Sequence, residues 1–511
     1  MQIPALLGID VGTSGCRAAV YSQTGHPLAS HSIPYSLTRP HSRWVEQDAD
    51  SYWEAARDAV RRLIFEVGSE AEIVAIGICG QSPTLVLVDA AGGPIRPAII
   101  WQDTRAIAEA DHLRALRSDA EWAQIFGMAL PVDASYPPAR LLWLRTHEPA
   151  TLSRCHAILQ PKDFLVHRLT GAFISDIWSS KGLLHQGTGQ PITAYRDLLG
   201  INPALAPRGV RPRDVAGLVT EAAATLLGLP VGIPVVAGWT DSHAAILASG
   251  ALIADGEAFD IAGTSEIIGI TAPRPATVAG GVLLSPLFDP DAPNRVLVYG
   301  PTQTGADALR WAVESVLAIP AGAGRYEAAM EMATSVPPGA EGLVFLPYLD
   351  GERTPLWDPH ARGVLMGLSR AHTAAHIVRA IMEGVAFSVR HVLEVAEQQA
   401  GLRAERIRLA GGGIRNAAWN QIKADILGRP VVTMADPDAS VLGAAMLAGL
   451  GAGVFVTTAE ASAAMVRSDI EYLPHRDLSA QYDQQYGLYR DMYTALRPLF
   501  PRLVNDPHGP L

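Results

Sequence analysis

A short phrase near the start of the chain returns, altered, in its second half, and this echo limits what the chain can fold into. Leu6-Leu7-Gly8-Ile9-Asp10-Val11-Gly12-Thr13-Ser14-Gly15 is an apolar run, a carboxylate where the run ends, and a tight Gly-Thr-Ser-Gly turn. A second apolar stretch, residues 16–21, follows. The pattern predicts a strand, a turn and a strand, a β-hairpin. Glycines in the turn allow close approach of a ligand, and Thr13 and Ser14 offer N–H groups and hydroxyls to an anion. Asp10 can accept a proton or hold a hydrated cation. Residues 258–269 repeat the apolar entry, the Gly263-Thr264-Ser265 turn and the apolar exit. With Gly12 aligned on Gly263, Asp10 falls on Ile261. The turn is repeated and the carboxylate is not, so two related phosphate-holding hairpins are expected, one with an additional chemical duty.

A chain of 511 residues implies two large domains. Charged residues make up 18% of it, below the usual quarter or so, and hydrophobic residues 49%, the balance of a large, well-buried α/β protein. The formal charge of −11 argues against nucleic acid as a partner, while local amides and a cation still permit a phosphorylated ligand. Cys16, Cys79 and Cys155 fit neither a disulfide framework nor a zinc site, which points to a reducing compartment. No basic region followed by an apolar segment opens the chain. The longest uncharged candidate for a membrane span, 222–240, contains Pro230 and Pro234 and divides into a helix, a turn and a strand, so no span is expected.

In the first half, 27–47 is polar and has little periodicity. Helical spacing then places Trp53, Ala56, Val60 and Leu63 on one face of 49–65, with Asp48 or Asp50 as cap. A buried strand, 73–78, runs into Cys79-Gly80-Gln81-Ser82-Pro83-Thr84. A polar loop at the end of such a strand is a favoured ligand site, and Gln81 and Ser82 suit a polyhydroxylated ligand; an ordinary strand connection is the alternative. Asp103 and Arg105 either pair to fix their loop or bind hydroxyls. Asp176, Ser179 and Ser180 form a polar segment whose role these residues leave open. Asp241 stands at the junction of a strand, 235–237, and a small-residue helix, 242–252, where a carboxylate either caps the helix or takes a proton from a substrate hydroxyl.

A small-residue segment, 249–256, is a plausible hinge. The stretch 271–295 is rich in turns. Gly305 precedes a helix. A long helix over 373–400 is stopped by Gly401, and Glu383 on its apolar face is a candidate hydrogen-bond hub. Gly411-Gly412-Gly413 after a strand costs entropy and implies something close to the backbone, naturally a nucleotide. A small-residue helix over 439–449 can pack tightly. No P-loop, dinucleotide fingerprint or His-Glu-x-x-His motif is present. Glycine turns dispersed through both halves suggest a ligand in a cleft between two domains.

Together these motifs resemble the FGGY carbohydrate kinases, in particular their xylulokinase-like branch. The resemblance runs from Gly8 to about Gly451 and rests on Gly8-Ile9-Asp10-Val11-Gly12-Thr13-Ser14, Val45-Glu46-Gln47-Asp48, Gly80-Gln81, Trp101-Gln102-Asp103-Thr104-Arg105, Pro161-Lys162-Asp163 with Leu169-Thr170-Gly171, Gly238-Trp239-Thr240-Asp241, Gly263-Thr264-Ser265 and Gly411-Gly412-Gly413-Ile414-Arg415-Asn416. It implies an α/β protein of two actin-like, ribonuclease-H-like domains flanking a catalytic cleft: 1–250, with the sugar site and catalytic base, and 251–511, with the nucleotide site and a terminal helical tail. It implies ATP, Mg2+ and phosphorylation of a ketose hydroxyl, a xylulose-like pentulose first. Carried over, Asp241 is the general base and also faces the metal. Asp10 helps hold Mg2+ through water. Gly12, Thr13, Ser14, Gly263 and Thr264 line the phosphates, and Gly305, Gly411, Gly412 and Asn416 border the nucleotide.

One departure stands out. Xylulokinases follow Gly-Gln with Met-His and glycerol kinases carry Arg-Glu there; this chain has Ser82-Pro83. Glycerol is thereby disfavoured, and the sugar wall is assigned to Gln81, Ser82, Pro83, Asp103, Trp239 and Asp241, with Glu46 a further candidate. A sugar-alcohol or other-ketose kinase, or a non-catalytic ATP- and sugar-binding sensor of the same fold, are the alternatives. A cytoplasmic homodimer without nucleic-acid or membrane partners is expected.

Overall fold

The computed structural model describes residues 2–275, 280–290, 292–317, 319–320, 322 and 324–503. The chain forms two compact units, Met1–Ala248 with Asp438–Val466, and Ser249–Pro437 with Arg467–Leu511.

The first unit is built on a mixed sheet of seven strands. They are β1 (Ile3–Val11), β2 (Gly15–Ser22), β3 (Pro27–Pro34), β4 (Ala71–Gly80), β5 (Val215–Leu218), β6 (Pro234–Val236) and β7 (Trp239–Thr240). Their order is β5-β6-β4-β1-β2-β3, with β7 also on β4. β1 pairs antiparallel with β2 and parallel with β4, and residues 5–9 are buried on both faces, so it reads as a continuous apolar run. The predicted hairpin is present, with Val11 opposite Cys16. The polar stretch after it contains β3, which the sequence does not announce. β3 is an edge strand with one face towards water, so its Ser and His residues obscure the alternation.

The helix Ala49–Val67 begins where Asp48 accepts the Asp50 N–H at 3.1 Å, and it buries Tyr52, Ala56, Val60 and Leu63. The helix Ala439–Gly451 belongs to this unit too, although it was expected in the domain 251–511. Its small residues lie against strand glycines: a Cβ on Gly8 or Gly77 would strike the carbonyl of Val441 or Ala444, and one on Gly443 that of Ala244. Small-residue composition foretells such close packing but not the sheet that receives it.

The second unit repeats the plan. β8 (Ala258–Ala262), β9 (Glu266–Pro273), β10 (Leu283–Pro286), β11 (Arg295–Pro301), β12 (Ile407–Ala410), β13 (Val431–Met434) and β14 (Ser468–Tyr472) lie in the order β10-β11-β9-β8-β12-β13-β14. β8 is antiparallel to β9 and parallel to β12, as β1 is to β2 and β4. The sequence echo is therefore a topological echo. Its second turn is one residue tighter, with Ala262 opposite Glu266. Of the stretch read as turn-rich, 276–279 and 291 lie outside the described residues; the remainder includes β10 and the end of β9. Glu383, on the helix Ala374–Ala400, is the expected hub: its Oε1 accepts from Gly339 N at 2.9 Å, Arg379 Nε at 2.8 Å and Tyr482 OH at 2.9 Å. The tail is helical over Ser479–Leu496 and Phe500–Leu503. No helix among the described residues is long and apolar enough to cross a membrane.

Candidate active site

The site of the first unit forms where parallel strands end side by side. Asp10 on β1 and Trp239 on β7 both register with Cys79 on β4, from opposite sides. The chain crosses from β6 to β7 through Gly238, with φ +76°, where a Cβ would collide with the Ile78 carbonyl. This crossing delivers Asp241 to the first position of the helix Asp241–Ala248. Asp241 Oδ1 accepts the Ser242 N–H at 2.6 Å, so the carboxylate does hold the helix start, with one of its oxygens.

Asp10 Oδ2 accepts from the Ser440 hydroxyl at 2.7 Å, while the buried Oδ1 has no partner among the described residues. Burial, and then the charge of Asp241, push the Asp10 carboxyl up to about 7. Burial also raises Asp241, opposed by the Ser242 N–H and the Lys181 ammonium. Two carboxylates that raise the cost of each other's charge make a place that a cation stabilises. Among the described residues no group of three or more His, Cys, Asp or Glu side chains is arranged to hold a metal, so a cation here would keep much of its water or phosphate shell.

The first turn is held from several sides. Tyr35 OH donates to Gly12 O, Gln47 Nε2 to Thr13 O at 2.7 Å, and Trp101 Nε1 to Thr13 Oγ1 at 2.9 Å. Gln81, assigned to the sugar, instead supports this turn: its Nε2 donates to Gln47 Oε1 at 2.7 Å and Gly12 O at 3.3 Å, and its Oε1 accepts from Thr13 at 3.4 Å. Asp103 is likewise corrected. It is fully buried, accepts the Val45 N–H at 2.6 Å and grips Arg105 through both oxygens, 2.7 Å at the shortest. Glu46 joins the same ion cluster, 2.7 Å from Arg105 and 2.6 Å from Arg96. In this loop Asp103 and Arg105 are paired with each other and with Glu46. Pro83 is buried with its carbonyl accepting from Arg140 at 3.2 Å.

Ser82, Trp239 and Asp241 do share a neighbourhood, completed by residues the sequence leaves undefined. Ser82 donates to Ser179 O at 3.1 Å, and Lys181 Nζ lies 3.5 Å from Ser82 Oγ and 5.2 Å over the Trp178 ring. The His243 ring is 4.8 Å from Trp239 and 5.3 Å from Trp178, with its Nδ1 2.8 Å from Thr240 Oγ1. Burial holds His243 well below the usual imidazole range, assisted by Lys181. Burial brings Lys181 down to about 8 against the pull of Asp176 and Asp241. The Trp239 Nε1 is buried without a partner among the described residues. Lys162 closes the back: its ammonium meets Asp163 at 2.5 Å, Asp176 at 2.8 Å and the Ala237 carbonyl at 3.0 Å, which fixes the approach to β7. Asp176 and Ser179 were visible as a polar segment; only the fold shows Lys181 facing Asp241.

The glycine turns of the second unit also converge. Gly305 N donates to Thr264 O at 2.8 Å and Ala306 N to Gly263 O at 3.0 Å. Gly411, with φ +87°, lies so near Ala262 that a Cβ would stand 2.7 Å from its carbonyl, and one on Gly413 would stand 2.5 Å from the Ala262 Cβ. Only Gly412 faces open space. Two of the three glycines thus serve the chain's own packing, not a ligand's approach. Asn416 Oδ1 accepts the Trp419 N–H at 3.1 Å and starts the helix Ala417–Leu427. From that helix Lys423 reaches Asp260 at 2.6 Å and Glu266 at 3.0 Å, all buried. The extra carboxylates of this hairpin are neutralised internally, unlike Asp10.

Residues 5–248 match the N-terminal domain of the FGGY family of carbohydrate kinases, and residues 259–452 its C-terminal domain. A xylulose kinase of Staphylococcus xylosus is 27% identical over 496 residues, covering 96% of this chain and 99% of the relative. A glycerol kinase of Geobacter sp. (strain M21) is 31% identical over 470 residues, 89% of this chain and 92% of the relative. The crystal structure of a xylulose kinase from Rhodospirillum rubrum superposes with a TM-score of 0.85 at 30% identity, covering 97% of this chain and 99% of that one.

Proposed function

The chain belongs to the FGGY family of carbohydrate kinases and is an ATP-dependent kinase of a sugar or polyol hydroxyl, and from that premise we propose that its acceptor is a ketose, a xylulose-like pentulose first, with Asp241 as general base. The observation that carries this is the pair Asp10 and Asp241 at the ends of strands flanking β4.

Asp241 takes the proton of the acceptor hydroxyl as that oxygen bonds to the γ-phosphorus and the bond to the bridging oxygen of ADP breaks. Lys181 and the Ser242 N–H favour the ionised carboxylate that this demands. The orphaned Oδ1 of Asp10, on a carboxylate oriented by Ser440, would hold a hydrated Mg2+, with Asp241 as the second carboxylate. When bound, that cation offsets charge on the phosphoryl oxygens. Thr13 and Ser14, on a turn braced by Gln47, Gln81 and Trp101, supply donors to the phosphates in the first unit. Gly12 belongs to the same turn, and Gly263 and Thr264 supply the matching turn of the second unit. Gly305, Gly412 and the segment around Asn416 border the nucleotide. Trp239, Ser82 and Pro83 wall the sugar.

The xylulose kinases among the relatives support a ketose. The glycerol kinase relative supports a polyol as second reading, against which stands Ser82-Pro83. A homodimer acting in the cytoplasm completes the proposal; the three free cysteines support a reducing compartment. ADP release should be followed with ATP and Mg2+ over ketopentoses, ketohexoses, deoxy-ketoses, pentitols, erythritol and glycerol, with Asp241→Ala as control. One ketose turned over by the wild type and lost in the control is the expected result. Turnover of glycerol or pentitols alone would replace the ketose reading with the polyol one.

A further inference from the structure

Lys181 is 7% exposed, and its ammonium carries three N–H donors and no acceptor. Buried lysines elsewhere in this chain are met by carboxylates: Lys162 by Asp163 and Asp176, Lys423 by Asp260 and Glu266. Lys181 departs from that pattern. Its hydrogen-bond partner among the described residues is the Ser82 hydroxyl, at 3.5 Å, and the Trp178 ring lies beneath it at 5.2 Å. Asp241 and Asp176 act on it through space. Two of its N–H groups therefore have no partner, in a place too dry to leave them so at no cost.

The neighbouring groups limit what can satisfy them. Ser82 spends its own proton on Ser179 O at 3.1 Å, so it meets Lys181 only as an acceptor. Pro83 has no N–H to give. With the orphaned Trp239 Nε1, Lys181 is thus a donor of this wall, and the charged one, and its natural partner is an oxygen that only accepts. A substrate hydroxyl placed there would still need an acceptor for its own proton: the Ser82 Oγ lone pair faces Lys181, and Asp241 is assigned to the hydroxyl that is phosphorylated.

We propose that Lys181 is a specificity-determining residue that donates to the carbonyl oxygen of an open-chain ketose, so that the site prefers ketoses to the matching sugar alcohols. This rests on the ketose reading above and deepens it: it says which residue reads the keto group. It also gives Ser82-Pro83 a purpose, since the pair leaves room for the lysine and offers no competing donor.

The test compares kcat/KM for ketopentoses and their matching pentitols in the wild type, Lys181→Met, Lys181→Arg and Ser82→Ala, with sugar binding followed separately through tryptophan fluorescence in the absence of ATP. The wild type should favour the ketose. Lys181→Met should lower ketose kcat/KM and ketose binding by about 30- to 100-fold, the size of one hydrogen bond from a charged donor. The pentitols should lose only the part that comes through Asp241, a smaller loss, so that the ratio collapses while KM for ATP holds. Equal losses on ketose and pentitol would make Lys181 a support for Asp241 only and overturn the inference, leaving the ketose reading intact. A wild type that turns over pentitols and no ketose would overturn both. Should Lys181→Met fail to fold, judged by its Tm, Lys181→Arg decides in its place: it keeps the charge but moves the donors, and an unchanged ketose-to-pentitol ratio in that variant counts against the proposal.

Discussion

Ser440 donates its hydroxyl to Oδ2 of Asp10 over 2.7 Å, although 430 positions separate them. The bond ties the start of the helix Ala439–Gly451 to the end of β1 and leaves Oδ1 of the same carboxylate without a partner. Ser440→Ala removes the contact that orients the carboxylate. Because hydrogen bonds to charged groups are worth about 1.5–3 kcal/mol, kcat should fall by about tenfold or more. The Mg2+ concentration giving half-maximal activity should rise. A magnesium titration of ADP release checks both, and an unchanged curve would show that Asp10 does not depend on this hydroxyl for its position.

Lys423 holds Asp260 and Glu266 together under the second Gly-Thr-Ser turn. Burial and the charge of Asp260 raise Glu266 well above the ordinary glutamate value, and Lys423 opposes this. Lys423→Met leaves two carboxyls buried without their cation, a loss of about 3–5 kcal/mol for a broken buried pair. Denaturant unfolding should register that loss. Because Glu266 directly follows the turn, KM for ATP should rise as well. Adding Glu266→Gln to Lys423→Met should recover part of the stability, since it removes one of the stranded charges.

Much of this architecture was legible in the sequence because the signals were local. The Gly-Thr-Ser echo, the helix stopped by Gly401 and the buried Glu383 each depend on neighbours within a few residues or on a plain apolar pattern. What stayed hidden depended on long-range partners. The loop 101–105 shows Asp103 and Arg105 but not that Val45 and Glu46 complete their cluster. Gln81 follows a buried strand, as a ligand residue would, yet the turn at Gly12 claims its amide. Lys181 gives no signal by itself, because only the fold sets it over Trp178 and against Ser82. The helix 439–451 was read as tight packing, but nothing in Ala, Gly and Leu names the sheet they meet, which is that of the first unit.

Gly77 offers a direct test of that placement. It lies on β4 where a Cβ would run into the Ala444 carbonyl and approach the Ala448 N–H at 3.2 Å. Backbone cannot retreat as a flexible side chain can, so Gly77→Val must push the helix from the sheet. We expect a loss of more than about 3 kcal/mol, well above the common effect of a substitution, with activity falling because Ser440 moves with its helix. Thermal unfolding and ADP release measured on the same preparation check the two together.

His391 supplies the pH dependence. It is buried on the helix Ala374–Ala400, and burial, with the nearby Arg490 cation second, brings its pKa down to about 3. In the unfolded chain an imidazole titrates near 6.5. Between these values the unfolded state binds a proton that the folded state refuses, so the folded state gains relative stability as pH rises through the window. The slope reaches about 1.4 kcal/mol per pH unit where the difference is one whole proton. Well above pH 6.5 both forms are neutral and the term vanishes. His391→Gln cannot titrate. The unfolding free energy of the wild type minus that of His391→Gln should be flat from pH 7 to 8 and fall steadily as pH is lowered from 6.5 towards 4. A difference that stays flat into acid would mean that the imidazole accepts its proton inside the fold, and that the helix face around it is wetter than its burial implies.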